Sequence, residues 1–215
     1  AEKDLIYEGH KPMHICPRCE TPLSNFEVTQ GYKDITDLSV WVKFELDEAV
    51  SDKRLAVSNQ QKTYFLAWTT TPWTLPGNLL LAVHPKVKYV RFYEPASQNT
   101  FIASALFWRN YEELGTHNTN EKRFLRDGES FSGKDLVGKR YVPLFPYFAN
   151  DKEYEKAFRV VAADFVATDE GTGIVHIAPG FGEDDFNLGK KEKLPILQHV
   201  TMDGKFIPEV TDFAG

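Results

Sequence analysis

Groups able to do chemistry crowd into two stretches of this 215-residue chain. Residues 68–78 read Trp-Thr-Thr-Thr-Pro-Trp-Thr-Leu-Pro-Gly-Asn, so that the hydroxyls of Thr69, Thr70 and Thr71 run up to a proline, with Thr74 and Asn78 just beyond. Residues 171–186 hold His176 within an apolar run and Asp184-Asp185 after a Gly-Phe-Gly turn. A carboxylate can grip a cationic group through a charge-assisted hydrogen bond, a histidine can exchange a proton near neutral pH, and hydroxyls with free backbone N–H groups can hold a polar ligand. Each group also has a plain structural use. Acids in the first turn of a helix complement its dipole, threonines favour strands, a histidine in a strand is commonly a core residue, and Trp68 and Trp73 could be core aromatics as readily as ligand contacts.

Other chemistries lack their residues. The chain has no Gly-x-x-x-x-Gly-Lys-Ser/Thr for phosphates, no His-Glu-x-x-His, and no Gly-x-Ser-x-Gly elbow; residues 128–133 have the wrong spacing for the last. Its two cysteines stand together in Cys16-Pro17-Arg18-Cys19, too few for a disulfide framework. A nucleophilic Cys–His pair is therefore not expected, and in a hydrolase the nucleophile would be water. Cys-x-x-Cys is half of a tetrathiolate zinc site, but no second pair follows. His10 and His14 are the remaining nearby donors, at an unusual spacing. Zinc thus belongs to a larger parent protein if it belongs anywhere.

These residues must be positioned by a strand-rich framework. Alternation at Val40, Val42, Phe44 and Leu46 predicts a half-buried strand, and residues 63–69 (TYFLAWT) a buried one broken by Pro72 and Pro76. Residues 79–83, 88–93, 158–163 and 173–178 read as further strands. Residues 104–114 have helical spacing, and residues 183–191 form a short helix with an acidic start and a basic end. Residues 47–61 and 117–128 read as polar loops, residues 141–148 as short extended pieces, and Asp203-Gly204 as a hairpin turn between 197–202 and 205–207. The sum is a β-rich α+β fold, barrel-like with a few flanking helices: an entry segment over 1–37 with the Cys16–Cys19 half site, then one domain over 38–215.

Composition narrows the class. No stretch approaches the ~18 apolar residues of a membrane helix, and the N-terminus has no signal-like apolar region. Paired with few cysteines, this makes a cytoplasmic compartment the expectation. The net charge of −6 argues against holding nucleic acid by bulk charge and leaves only local basic pieces: Lys122-Arg123 with Arg126, Lys139-Arg140, and Lys190-Lys191 with Lys193. Nothing demands more than a monomer.

The two long segments, in this order, closely resemble the inserted editing (connective peptide) domain of isoleucyl-tRNA synthetases, class I aminoacyl-tRNA synthetases. Residues 16–24, 138–145 and 210–215 are similar to that domain's entry, middle and exit, so the resemblance covers nearly the whole chain. Leucine and valine enzymes usually carry Thr-Thr-Arg-Pro-Asp/Glu-Thr in the first segment; here Thr71 replaces the arginine and Trp73 the acid. Valine enzymes usually have lysine where His176 stands. The His-Ile-Gly-His and Lys-Met-Ser-Lys-Ser signatures of the ATP-dependent synthetic site are absent, so the chain is expected to be a piece of a larger enzyme that cannot charge tRNA alone.

The resemblance implies a function. Valine and isoleucine differ by one methylene, from which a pocket draws only about 1–3 kcal/mol, roughly 10–200-fold, the isoleucine enzymes themselves being the standard illustration. A second, smaller pocket then admits valine and hydrolyses its ester on the isoleucine tRNA, with valyl-adenylate as an additional substrate of the same pocket. The resemblance places the amino-group anchor on Asp185 and the wall against the larger side chain on His176 and Thr74; the residues themselves offer Thr69, Thr70 and Thr71 to grip the terminal adenosine, Asn78 to contact the ribose or orient water, and Trp68 and Trp73 as substrate contacts or core aromatics. Asp185, His176 and Thr70 are the expected catalytic set, acting by positioning water beside the neighbouring ribose hydroxyl. No cofactor is expected for the hydrolysis. The partners expected are the 3′ end of the isoleucine tRNA carrying valine and the rest of the parent synthetase. The rival readings are a non-catalytic tRNA-binding module, a free-standing hydrolase, and the editing domain of the valine enzyme.

Overall fold

The computed structural model describes residues 8–47, 61–115, 124–167 and 169–215. Along the chain come β1 (Ile15–Cys16), β2 (Thr21–Pro22), α1 (Asn25–Gln30), β3 (Val40–Glu45), β4 (Thr63–Thr69), a 3-10 turn (Pro72–Gly77), β5 (Leu80–Val83), β6 (Lys88–Glu94), β7 (Asn99–Ser104) and α2 (Ala105–Gly115). Then follow β8 (Leu125–Ser132), α3 (Gly133–Leu136), a second 3-10 turn (Lys152–Tyr154), β9 (Arg159–Ala162), β10 (Ile174–Ile177) and α4 (Glu183–Lys191). They form a two-stranded hairpin β1-β2, a three-stranded sheet β10-β5-β9 and a five-stranded sheet β3-β4-β7-β6-β8.

Strand β4 is apolar at nearly every position because both its faces are covered. Phe65 and Ala67 join the main core, shared with β5, β9 and β10, while Leu66 points to a second cluster with Val90, Phe92, Phe101, Phe107, Trp108 and Phe124. Strand β5 reads Leu-Leu-Ala-Val without alternation for the same reason: it is the middle strand, antiparallel to β10 and parallel to β9, and all four residues are buried. The second cluster absorbs much of the aromatic content, with the Phe92 and Trp108 ring centroids 5.2 Å apart and α2 laid over it.

The strand-rich α+β class is as read from the sequence, but the barrel does not close. Among the described residues the two larger sheets meet at seams crossed by short runs of backbone bonds rather than by a continuous ladder. At one seam Tyr141 bridges to Leu46 and donates its N–H to Phe158 at 3.1 Å, while Arg140 bridges to Arg159. Val142 donates its N–H to Glu45 O at 2.8 Å, and Pro143 beyond it has no N–H with which to lengthen the ladder. At the other seam Ser104 donates its N–H to Thr172 at 2.8 Å, and Gly173, at φ +73°, turns the chain away.

Some local expectations change. Strand β8 lies partly where a loop was expected; it is a polar edge strand whose pairing with β6 is held by backbone bonds and shifts register between Val90 and Phe92, so no alternation marks it. Strand β7 and helix α1 were also unmarked. Residues 144–150 form turns rather than extended pieces. The hairpin at Asp203-Gly204 shrinks to the single bridge between Val200 and Phe206, closed by Thr201 N–H to Lys205 O at 2.8 Å. Most of the expected loop over 47–61, and Lys122-Arg123, lie outside the described residues.

Candidate functional site

The topology brings the two motif segments together. Strand β4 ends in the threonine run, the 3-10 turn follows, and β5 returns alongside β10 with Leu81 opposite His176. Across this junction Thr74 Oγ1 and His176 Nε2 lie 2.8 Å apart, both residues buried. The Thr74 hydroxyl also donates to the Thr71 carbonyl at 2.8 Å, and a carbonyl can only accept. Its one proton being used there, the hydroxyl accepts from His176, whose Nε2 therefore carries the ring proton. Nδ1 is left as a bare lone pair, buried without a partner. Burial first, and the neighbouring His199 second, push the His176 pKa down to about 4. His176 is thus neutral at physiological pH, held rigidly, and poorly suited to act as a general base.

Asp185 sits in the first turn of α4, behind Gly182, which caps the helix without a side chain. Its Oδ2 accepts the Ala178 N–H at 2.8 Å. Because Ala178 is two residues beyond His176, this bond ties the end of β10 to the carboxylate. Burial raises the Asp185 pKa to about 6, opposed by the Ala178 bond and helped by Asp184. Oδ1 has no partner among the described residues. The carboxylate is ionised at neutral pH yet poorly solvated, a state that a cation relieves. Asp184 is exposed, as a residue serving only the helix dipole would be.

The threonine run forms a rim. Thr71 donates its N–H to Thr69 Oγ1 at 3.1 Å, and Thr74 N–H closes onto Thr71 O at 3.0 Å. Thr70 and Thr71 are exposed, and Trp73 is 48% exposed. Trp68 and Asn78 are placed differently. Trp68 alternates with Thr69 onto the other face of β4 and packs on Gly171, where a Cβ would meet its ring at 3.3 Å. Asn78 is buried, its Nδ2 donating to Leu80 O at 2.9 Å and its Oδ1 accepting from Tyr141 at 2.7 Å, so both ends of the amide are engaged inside the core. The structure therefore brings together Thr69, Thr71, Thr74, His176 and Asp185, with Thr70 and Trp73 on the rim.

Two neighbours escaped the sequence reading. Phe181 meets Trp73 edge-on at 5.4 Å, and His199 meets Phe181 edge-on at 4.5 Å. His199 is 126 positions from Trp73, whose carbonyl it contacts, and no local pattern marks such a pairing. A cleft of about 820 Å³ opens beside this aromatic edge, its lining including Trp73, Phe181, Glu183, Lys11, His14 and Met202; neither His176 nor Asp185 lines it.

Cys16 and Cys19 flank the β1-β2 turn, where Glu20 N–H bonds back to Cys16 O at 2.8 Å. The Cys19 backbone and thiol hold the Cys16 pKa below its usual value. Cys19 Sγ lies 3.0 Å from Thr21 Oγ1. No group of three or more potential ligands assembles among the described residues. Two thiols fall short of the four donors of a structural zinc site, so the residues described here do not fit one by themselves.

Comparison with known proteins agrees with the motifs. The family model for tRNA synthetases class I (I, L, M and V) matches residues 1–201. The chain is 42% identical, over its whole length, to the probable cytoplasmic isoleucine–tRNA ligase of Dictyostelium discoideum and to isoleucine–tRNA ligase of Chlamydia trachomatis, and it spans 19% of the length of each. In structure it is similar to GlLeuRS-CP1 (TM-score 0.53, 23% identity, 72% of this chain and 58% of that one). It is similar also to the P. knowlesi cytosolic leucyl-tRNA synthetase editing domain (TM-score 0.52, 16% identity, 72% of this chain and 64% of that one). The chain belongs to the class I tRNA synthetases of the isoleucine, leucine, methionine and valine group. Within that group the likeness along the whole sequence is to isoleucine–tRNA ligases, and the fold is that of the leucyl-tRNA synthetase editing domains.

Proposed function

We propose that this chain hydrolyses the ester of valine wrongly attached to the isoleucine tRNA, as the editing part of a larger cytoplasmic isoleucyl-tRNA synthetase. The observation that carries the reading is the Thr74–His176 bond, a neutral, immobile wall tied through Ala178 to a half-solvated carboxylate. Asp185 takes the ammonium of the amino acid through Oδ1. Thr74 and His176 leave room for valine and not for the extra methylene of isoleucine. Thr69, Thr70 and Thr71 hold the terminal adenosine at the rim, beside Trp73.

Water then attacks the ester carbonyl. The acyl C–O bond to the ribose breaks, releasing valine and a tRNA with a free 3′-terminal hydroxyl. With His176 neutral and Asp185 engaged by the ammonium, orientation of the water beside the vicinal ribose hydroxyl supplies the rate, and effective molarity from such positioning is large. Valyl-adenylate carries the same ammonium and side chain and is a second substrate of the same pocket. The remainder of the synthetase and the tRNA acceptor end are the partners; no helix among the described residues is long and apolar enough to cross a membrane.

The test is incubation of the 215-residue chain at high concentration with valyl- and isoleucyl-tRNA carrying the isoleucine anticodon, beside Asp185→Ala. Loss of valine alone, abolished by the substitution, is the expected result. Binding without hydrolysis of either ester would favour a non-catalytic tRNA-binding module. In a parallel incubation with threonyl-tRNA, faster loss of threonine than of valine would assign the chain to the valine enzyme instead, and equal hydrolysis of the valyl and isoleucyl esters would refute the size filter.

A further inference from the structure

We infer that His199 is a positioning residue for this site: it holds the 3-10 turn Pro72–Gly77 through the Trp73 carbonyl and thereby fixes the Thr74–His176 wall. The inference rests on the proposed role of that wall in rejecting isoleucine. His199 is fully buried, and its Nε2 lies 3.0 Å from Trp73 O. Since the carbonyl only accepts, Nε2 carries the proton and donates.

The turn needs this donor from outside. In a 3-10 turn the carbonyl of residue i accepts from the N–H of residue i+3, and the residue three beyond Trp73 is Pro76, which has none. The Trp73 carbonyl would lack that bond, and His199 supplies one from 126 positions away. The same ring grips the far end of the turn. A Cβ on residue 77 would lie 2.4 Å from His199 Nδ1, so the imidazole fits against the backbone only because that residue is glycine. Thr74, which holds His176, lies between these two points of contact.

The other contacts keep the ring in place. His199 meets Phe181 edge-on at 4.5 Å and stacks on Phe206 at 5.8 Å, and Phe181 in turn meets Trp73 at 5.4 Å. Nδ1 has no acceptor beside it. A second ring proton would point at Gly77 and place a positive charge near His176, so the site admits only the neutral Nε2–H form.

The test compares His199→Phe, which keeps an aromatic ring and removes the donor, with His199→Gln, whose amide N–H reaches close to the Nε2 position. Two readouts are taken on the 215-residue chain: kcat and KM for hydrolysis of valyl- and isoleucyl-tRNA, and the His176 ring N–H resonance in nitrogen-15 spectra. In His199→Phe the valyl-over-isoleucyl ratio of kcat/KM falls roughly ten-fold, the low end of what one methylene is worth, through hydrolysis of the isoleucyl ester. The His176 N–H exchanges faster with water in the same variant, and His199→Gln restores both. An unchanged ratio and unchanged His176 resonance in a folded His199→Phe overturn the inference, as does His199→Gln behaving like His199→Phe. If His199→Phe does not fold, Gly77→Ala pushes on the same ring from the other side and must loosen the His176 resonance; no change there refutes the inference. A wild-type chain that hydrolyses neither ester defeats the functional reading alone, because the His176 resonance still decides whether His199 sets the wall.

Discussion

Replacing Asp185 with asparagine should make the protein more stable at neutral pH while disabling it. Burial moves this carboxyl from an ordinary 3.8 to about 6, which corresponds to about 3 kcal/mol between its two protonation states at most. Because the folded-state pKa is raised, the favourable state is the protonated one. Its contribution is fully present below pH 3.8, where folded and unfolded chains are both protonated, and is lost as pH rises through about 6. At pH 7 the wild type therefore carries a buried charge that Asp185→Asn removes, while the asparagine oxygen can still accept the Ala178 N–H. Allowing for relaxation and for loss of the favourable helix-dipole contact, the expected gain is about 1–3 kcal/mol. In a domain of this size that raises Tm by roughly 2–10 °C. The assay is thermal unfolding of both proteins from pH 4 to pH 8. Comparing them at each pH cancels the shared contributions of His176 and His199. The difference should be largest at pH 7 and vanish near pH 4, and valyl ester hydrolysis should fall by roughly 10–150-fold, the worth of a hydrogen bond to a charged group. An Asp185→Asn protein that is less stable at pH 7, or whose advantage does not change with pH, would refute the claim that an under-solvated carboxylate waits in this site for a cation.

Thr74→Val keeps the shape of the side chain and leaves the His176 Nε2–H without an acceptor; a loss of about 1–3 kcal/mol is expected in urea unfolding. The pH profile of kcat/KM should rise through about pH 6 as Asp185 ionises, with no inflection from His176. A His176→Ala protein should keep that rise and gain isoleucyl ester hydrolysis, whereas loss of an inflection near neutrality would identify His176 as a base after all. Gly173→Ala should cost upwards of about 2 kcal/mol, since φ is +73° and the new Cβ would lie 2.6 Å from that of Ser104; an unaltered unfolding midpoint would count against the described seam.

The strands that announce themselves in the sequence are those with a side-chain reason for their composition. Residues 63–69 and 79–83 are apolar because both their faces are covered, and helix α4 shows its acidic start and basic end. Strand β8 was hidden because an edge strand is held by backbone bonds, which any residue can make. The motifs carried the site further than periodicity could, since they placed Thr74, His176 and Asp185 together, and the structure adds which atom of each is engaged. They could not show that Asn78 spends its amide on Tyr141 and Leu80, nor that Trp68 turns to the far face of β4. His199 had no signal of its own; its clue was Pro76, a missing donor within the turn.

The Thr74–His176 bond joins the loop leaving the five-stranded sheet to a strand of the three-stranded one. If this pair sizes the substrate as proposed, the gauge is therefore also a strut between the two sheets. Any breathing of one sheet against the other widens the gauge itself. A gauge that must resolve one methylene tolerates much less play than the fold needs in order to survive. Warming such a protein should blunt its accuracy well before it melts, so that errors in amino-acid choice, rather than loss of activity, would be the first sign of thermal stress.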